Sequence, residues 1–363
     1  MMLFGKPVHN FCILRHNSLK MKSLKFLTVF LLPICVYFSF TNNGILTFLP
    51  LLFSFAIIPL VEFLFTPTSE NFSKEQEQKE KENKMYTYIL YLTIPVQLYF
   101  LFLFFEVIQE PNLETYELVG RVIGMGLLSG TIGINVGHEL GHRNNRFDEF
   151  LGEILLLSSI NTHFLPYHNA GHHLNVATPK DAATARKNEW IYTFYFRSHF
   201  TSYIQAWQAE NKRLKLSDRS WFHYQNRMII YTLLNIILLS SIYYFLGLFV
   251  LICFIIASTI GILLLESVNY IEHYGLLRKQ NENGRYEKVK RTHSWNSDHV
   301  VGKLMLFNLS RHSDHHYNGG KHYQILKSLP ESPHMPTGYP GMIILALVPP
   351  LWFSVMNKKI QEI

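Results

Sequence analysis

Three imidazoles and a carboxylate crowd into the segment Arg311-His-Ser-Asp-His-His316. On a helix, His312, His315 and His316 stand at i, i+3 and i+4 and project from one face. Two earlier clusters repeat the pattern. His138-Glu-Leu-Gly-His142 presents an i, i+4 pair, and His168-Asn-Ala-Gly-His172-His173 presents i, i+4 and i+5. Packing has no use for several imidazoles on one face, and burying them unpaired costs free energy. Metal coordination does use them. Tetrahedral zinc takes four ligands, and a catalytic zinc usually three from the protein. Eight clustered histidines therefore exceed one zinc ion. Imidazole also suits iron, and eight of them fit two metals. The spacing predicts a histidine-rich dinuclear iron site.

The elements that must hold these clusters are apolar. Of 363 residues, 48% are hydrophobic and 16% charged, against about 25% charged in ordinary soluble domains. Crossing a bilayer takes about 20 apolar residues. Six runs qualify, near 25–41, 44–66, 86–107, 117–137, 228–246 and 248–270, and the last two meet at Gly247. Lys20, Lys22 and Lys25 precede the first run, and Lys74, Lys79, Lys81 and Lys84 lie between the second and third. Arg143, Arg146, Arg186, Arg197, Lys212 and Arg213 follow the fourth. The turns at 42–43, 108–116 and 247 contain neither Lys nor Arg. By the positive-inside rule both termini and the histidine clusters face the cytoplasm. The expected fold is all-α: a tail over 1–24, six transmembrane helices within a membrane di-iron domain over 25–358, and a cytoplasmic cap from 138–227 and 271–358. A net charge of +7 is spread by this topology instead of being gathered for nucleic acid.

Smaller segments complete the outline. No cleaved signal is read at the N-terminus, residues 1–20 read as poorly ordered, and Met21 offers a second start. Residues 71–84 read as a solvated, mixed-charge loop, and 151–160 as a helix roofing the site. The run 341–356, interrupted by Pro349-Pro350, reads as a re-entrant or interfacial element, with a seventh span as the weaker option. Cys12, Cys35 and Cys253 are too scattered for a disulfide framework, a cysteine zinc site or an iron–sulfur motif. Electrons needed at the site must come from outside the chain.

Taken alone, His138-Glu139-Leu-Gly-His142 satisfies the H-E-x-x-H pattern of zinc metalloproteases, with Glu139 as base. Such a site leaves six further histidines without a role. A metal transporter or sensor is the other rival, but the histidines gather at one membrane face instead of along a path through it. His273, in Asn269-Tyr-Ile-Glu272-His273-Tyr-Gly-Leu276, leaves the sixth run at the level of His138 and His142 and is a candidate ninth ligand. Metal-bound imidazoles hand their second N–H to a carboxylate or carbonyl. Glu139, Asp181, Glu272, Asp298 and Asp314 are the carboxylates at hand. His163, His199, His223 and His293 read as structural or interfacial, and His9 and His16 as incidental.

Together, His138 to Arg143, His168 to His173, Asn269 to Leu276 and Leu309 to His316 resemble the membrane alkane 1-monooxygenases, within the wider fatty acid desaturase and hydroxylase superfamily. His293-Ser-Trp-Asn-Ser-Asp298, Pro336-Thr-Gly-Tyr-Pro-Gly-Met342 and Leu347-Val-Pro-Pro-Leu-Trp352 carry the same resemblance, which covers roughly residues 25–358. Three positions depart from the family pattern: Tyr167 stands for a Glu, Ser310 for a Gln and Arg143 for a Lys. None removes a histidine, although the first leaves open what orients His168. The resemblance implies two iron ions held by His138, His142, His168, His172, His173, His273, His312, His315 and His316. It also implies terminal hydroxylation of n-alkanes with O2. Electrons would come from a separate rubredoxin, reduced by an NADH-dependent reductase. Fatty acyl or xylene-type substrates are the alternative within the same chemistry. Phe53, Phe55 and Ile58 of the second run are candidates for lining a substrate channel.

Overall fold

The computed structural model describes residues 22–363. His9, Cys12, His16, Lys20 and Met21 lie outside the described residues. Among those described, the fold is all-helical and has no strands, only isolated bridges at Gln280–Tyr286 and Asn296–His334. A helix occupies each of the apolar runs. Five are long and apolar enough to cross a membrane: Lys22–Thr41 (α1), Gly44–Leu64 (α2), Met85–Val107, Thr115–Gly141 and Arg227–His273. The third and fourth of these are α4 and α5 below, because the short helix Lys74–Glu82 (α3) precedes them. Large side chains on these rods point outward, such as Phe63 at 87% exposed and Phe245 at 76%. Apolar surface on this scale matches lipid better than water.

Arg227–His273 (α9) is a single 47-residue element in hydrogen-bonding terms, yet Gly247 sits at φ 86° and ψ 171°. That left-handed conformation is one only glycine adopts freely. It breaks the element into the two runs expected on either side. Residues 71–84 differ from expectation. They hold a helix, α3, where a loop was expected, started by a capping box in which Ser73 and Gln76 satisfy each other's backbone N–H. Lys79 pairs with Glu75 one turn away on the same face.

Between the long rods lie Arg146–Leu157 (α6), the segment 164–175 (α7) and Ile191–Lys215 (α8). Helix α6, expected as a roof over 151–160, packs flat against the end of α5. A Cβ on Gly152 would lie 2.8 Å from the carbonyl oxygen of Gly137, so only glycine permits that approach. The C-terminal region contributes Val300–Met305 (α10), His312–Tyr317 (α11), Tyr339–Ala346 (α12) and Pro349–Gln361 (α13). The proline pair starts α13, where a missing N–H costs nothing. Its 13 residues reach only about 20 Å, short of a hydrocarbon core. Trp352 of α13 is buried against Tyr270 and Tyr274, with ring centroids 5.3 and 5.2 Å away. This contact fixes the C-terminus onto the end of α9 beside His273.

Candidate metal centre

Four elements bring the histidines together. The end of α5 carries His138 and His142, α7 carries His168, His172 and His173, α9 ends on His273, and α11 carries His312, His315 and His316. Nine nitrogen donors converge into two groups made of histidine alone. His138, His142, His168, His173 and His315 form one; His172, His273, His312 and His316 form the other. The ligand atoms offered within each group lie within 4.8 Å of one another.

Backbone form decides the division. Residues 168–172 form a π-helical turn, whose i→i+5 hydrogen bonding accommodates more residues per turn than an α-helix. His168 and His173 thereby share one face and one group, while His172 turns to the other. On α11, His312 and His316 at i and i+4 share a group and His315 does not.

The distances fit a cation better than a hydrogen-bond network. The Nε2 atoms of His138, His142 and His168 form a triangle with sides of 2.8, 2.9 and 3.0 Å. A neutral imidazole has one N–H, so three nitrogens facing each other cannot all donate and accept around a closed triangle. A metal bonded at about 2.1 Å to imidazole nitrogen spaces adjacent ligands at close to these values. The second group repeats the geometry, with 3.1 Å between His312 and His273, 2.9 Å between His316 and His312, and 3.2 Å between His172 and His316. Burial, reinforced by neighbouring imidazoles, holds His142, His168, His173, His312, His315 and His316 well below the ordinary histidine range. They are neutral, the form that binds a metal.

Two carboxylates brace the ligands. Asp181 Oδ2 lies 2.9 Å from His172 Nδ1 and accepts a 2.7 Å hydrogen bond from Thr184. The Tyr167 hydroxyl donates to the other oxygen of Asp181 at 2.7 Å. Burial alone would raise the Asp181 carboxyl; His172 and these hydrogen bonds outweigh it and hold the group at about 2. Glu272 Oε1 lies 3.1 Å from His312 Nδ1 and accepts from the Tyr339 hydroxyl at 2.5 Å. The other three carboxylates face elsewhere. Glu139 lies 3.6 Å from Arg143 and accepts from the Tyr323 N–H, Asp314 is engaged by Lys321 and the Lys327 N–H, and Asp298 by Arg311 and Ser328. Their partners are cations, backbone N–H groups and the Ser328 hydroxyl, a distinction the sequence does not carry.

A mostly apolar cavity of about 100 Å³ reaches His138, His168 and His312, and so touches both groups. Phe55 and Ile58 line it; Phe53 is not in its wall and packs into the neighbouring core. A separate surface recess reaches His142, His173 and His316, with Arg143 and Arg146 at its rim. His163 and His199 stand apart and contact each other, ring centroids 5.3 Å apart, and His293 lies 3.4 Å from Glu287. Sequence reasoning missed Tyr167 as the brace for Asp181, and Asn135 in the cavity wall. Only its position three residues before His138, on the same helical face, signals the latter.

Comparison with known proteins places this geometry. Residues 118–344 match the family model described as fatty acid desaturase. The chain is 40% identical over 243 residues to an alkane 1-monooxygenase of Pseudomonas aeruginosa, covering 67% of this chain and 64% of that protein. It is 41% identical over 246 residues to an alkane 1-monooxygenase of Ectopseudomonas oleovorans, covering 68% and 61% respectively. The matched region thus spans somewhat less than two thirds of the length of these relatives.

Proposed function

This chain belongs to the fatty acid desaturase family, and from that premise we propose that it hydroxylates the terminal methyl of n-alkanes. The reaction consumes O2, two electrons and two protons and gives a 1-alkanol and water. The observation that carries the reading is the apolar cavity ending on His138, His168 and His312. An n-alkane has no polar handle, so its binding must come from burial, about 0.8 kcal/mol per CH2. A chain seated end-on against the histidines presents its methyl to them, which sets the regiochemistry.

The nine histidines would hold two iron ions, which when bound supply the O2 chemistry. Neutral imidazoles add no negative charge of their own, Asp181 fixes the His172 ring in place, and Glu272 lies 3.1 Å from the His312 ring. The buried walls keep bulk water from the reacting carbon. Electrons would enter through the recess over His142, His173 and His316. Arg146, exposed at that recess, suits an acidic donor, read as a rubredoxin served by an NADH-dependent reductase. In this reading six helical segments cross the bacterial inner membrane, with the break at Gly247 on the far side and the cap in the cytoplasm.

The zinc metalloprotease reading loses its base, because Glu139 is directed to Arg143 and Tyr323 and is absent from the cavity wall. Fatty acyl or xylene-type substrates remain the alternative for the same site. The wall contains no Lys or Arg to receive a carboxylate, which favours the alkane. Incubating the purified protein with octane, then with octanoate and xylene, in the presence of rubredoxin, reductase and NADH tests the choice. Octanol from octane supports it; oxidation of the acid or arene alone overturns it.

A further inference from the structure

An alkane offers the cavity nothing to hydrogen-bond, yet two of its wall residues, Asn135 and Asn269, are amides. Asn135 stands three residues before His138 on α5, lines the cavity and is 9% exposed. Its Nδ2 is buried and has no hydrogen-bond partner among the described residues. Two neighbouring polar side chains are engaged: Asn269 donates to Glu266 at 3.3 Å, and Glu272 accepts from Tyr339. A buried amide left unpaired is destabilising, and the substrate cannot relieve it. The product can. A hydroxyl both donates and accepts, and a carboxamide offers both functions.

We propose that the Asn135 carboxamide is the polar contact for the hydroxyl of the newly formed 1-alkanol. The proposal rests on the alkane hydroxylase reading and extends it to product binding. Hydroxylation at the terminal carbon places an oxygen at the histidine end of the cavity, where Asn135 is one helical turn from His138. The hydrogen bond distinguishes product from substrate: it adds affinity for the alkanol and none for the alkane. Asn135 then governs how long product is retained.

The test is equilibrium binding of radiolabelled 1-dodecanol and dodecane to purified, metal-loaded enzyme without reductant, so that no turnover intervenes. Wild type is expected to bind the alkanol at least as tightly as the alkane. Asn135→Leu, of similar volume, should weaken alkanol binding about tenfold and change alkane binding less than about twofold. Equal changes in both ligands, as a purely structural role would give, overturn the proposal. So does wild-type enzyme that binds dodecanol at least about tenfold more weakly than dodecane, since that is the penalty of a hydroxyl buried without a partner. This second result needs no variant to fold. Failure to hydroxylate alkanes in the turnover assay would remove the functional reading, whereas intact hydroxylation with an unchanged ligand ratio would remove only the role of Asn135.

Discussion

His172 Nδ1 lies 2.9 Å from Asp181 Oδ2, with both side chains fully enclosed. The pair links a π-helical turn to the loop that follows it and fixes which nitrogen of His172 faces His316. Replacing Asp181 with Asn keeps the shape and removes the charge. Metal retention, measured by dialysis against a graded chelator, should fall by about 10–100-fold. Tyr167→Phe should cost less, because Thr184 and His172 still hold Asp181.

Removing the metal should destabilise the cap. Without a cation, closely facing imidazole nitrogens are buried with too few protons to share. A ligand present at a hundred times its Kd contributes about 2.7 kcal/mol to folding. Chelation should therefore lower the thermal unfolding midpoint and make cap peptides labile to protease. Added ferrous iron should restore both, and an unchanged midpoint would contradict the assignment.

Phe55 and Phe53 separate a channel role from a packing role. Phe55 lines the cavity, and Phe53 packs against the core. Phe55→Ala should shift the preferred alkane to longer chains, each additional buried CH2 raising kcat/KM by about fourfold. Phe53→Ala should lower stability and leave the chain-length profile in place. A competition assay over C6 to C16 alkanes reads the difference.

Orientation can be read from two exposed loop residues. Asn112 follows the third apolar helix and Asn283 lies beyond the sixth helical segment. With cysteine reporters in a cysteine-free background, a membrane-impermeant maleimide applied to spheroplasts should label position 112 and spare 283. Labelling of both would contradict the crossings between them, and the reverse pattern would contradict the orientation.

Much of this arrangement is legible in residue spacing. The three histidine clusters, His273 and the apolar runs are visible because imidazoles on one helical face have few uses and lipid demands long apolar helices. The split of the ligands is not visible. It depends on the π-helical turn at 168–172, where i+5 replaces i+4 as the shared face. Nor does sequence tell which carboxylates reach an imidazole. Asp181 and Glu272 do so, but Glu139, although next to His138, points to Arg143. Tyr167 looks like the loss of an acid in sequence and in space supports Asp181 from 14 positions away. The helix at 74–82 was legible in principle from Ser73 and Gln76, yet its high charge reads as loop.

The central claim is a histidine-held pair of irons that hydroxylates an alkane. Its most direct test measures metal content of detergent-purified protein, beside octane turnover with rubredoxin, reductase and NADH, in wild type, His168→Ala, His312→Ala and His223→Ala. Close to two irons per chain and reductant-dependent 1-octanol are expected in wild type and His223→Ala, with both lost in the other two variants. One zinc per chain, no iron and no octanol would contradict it.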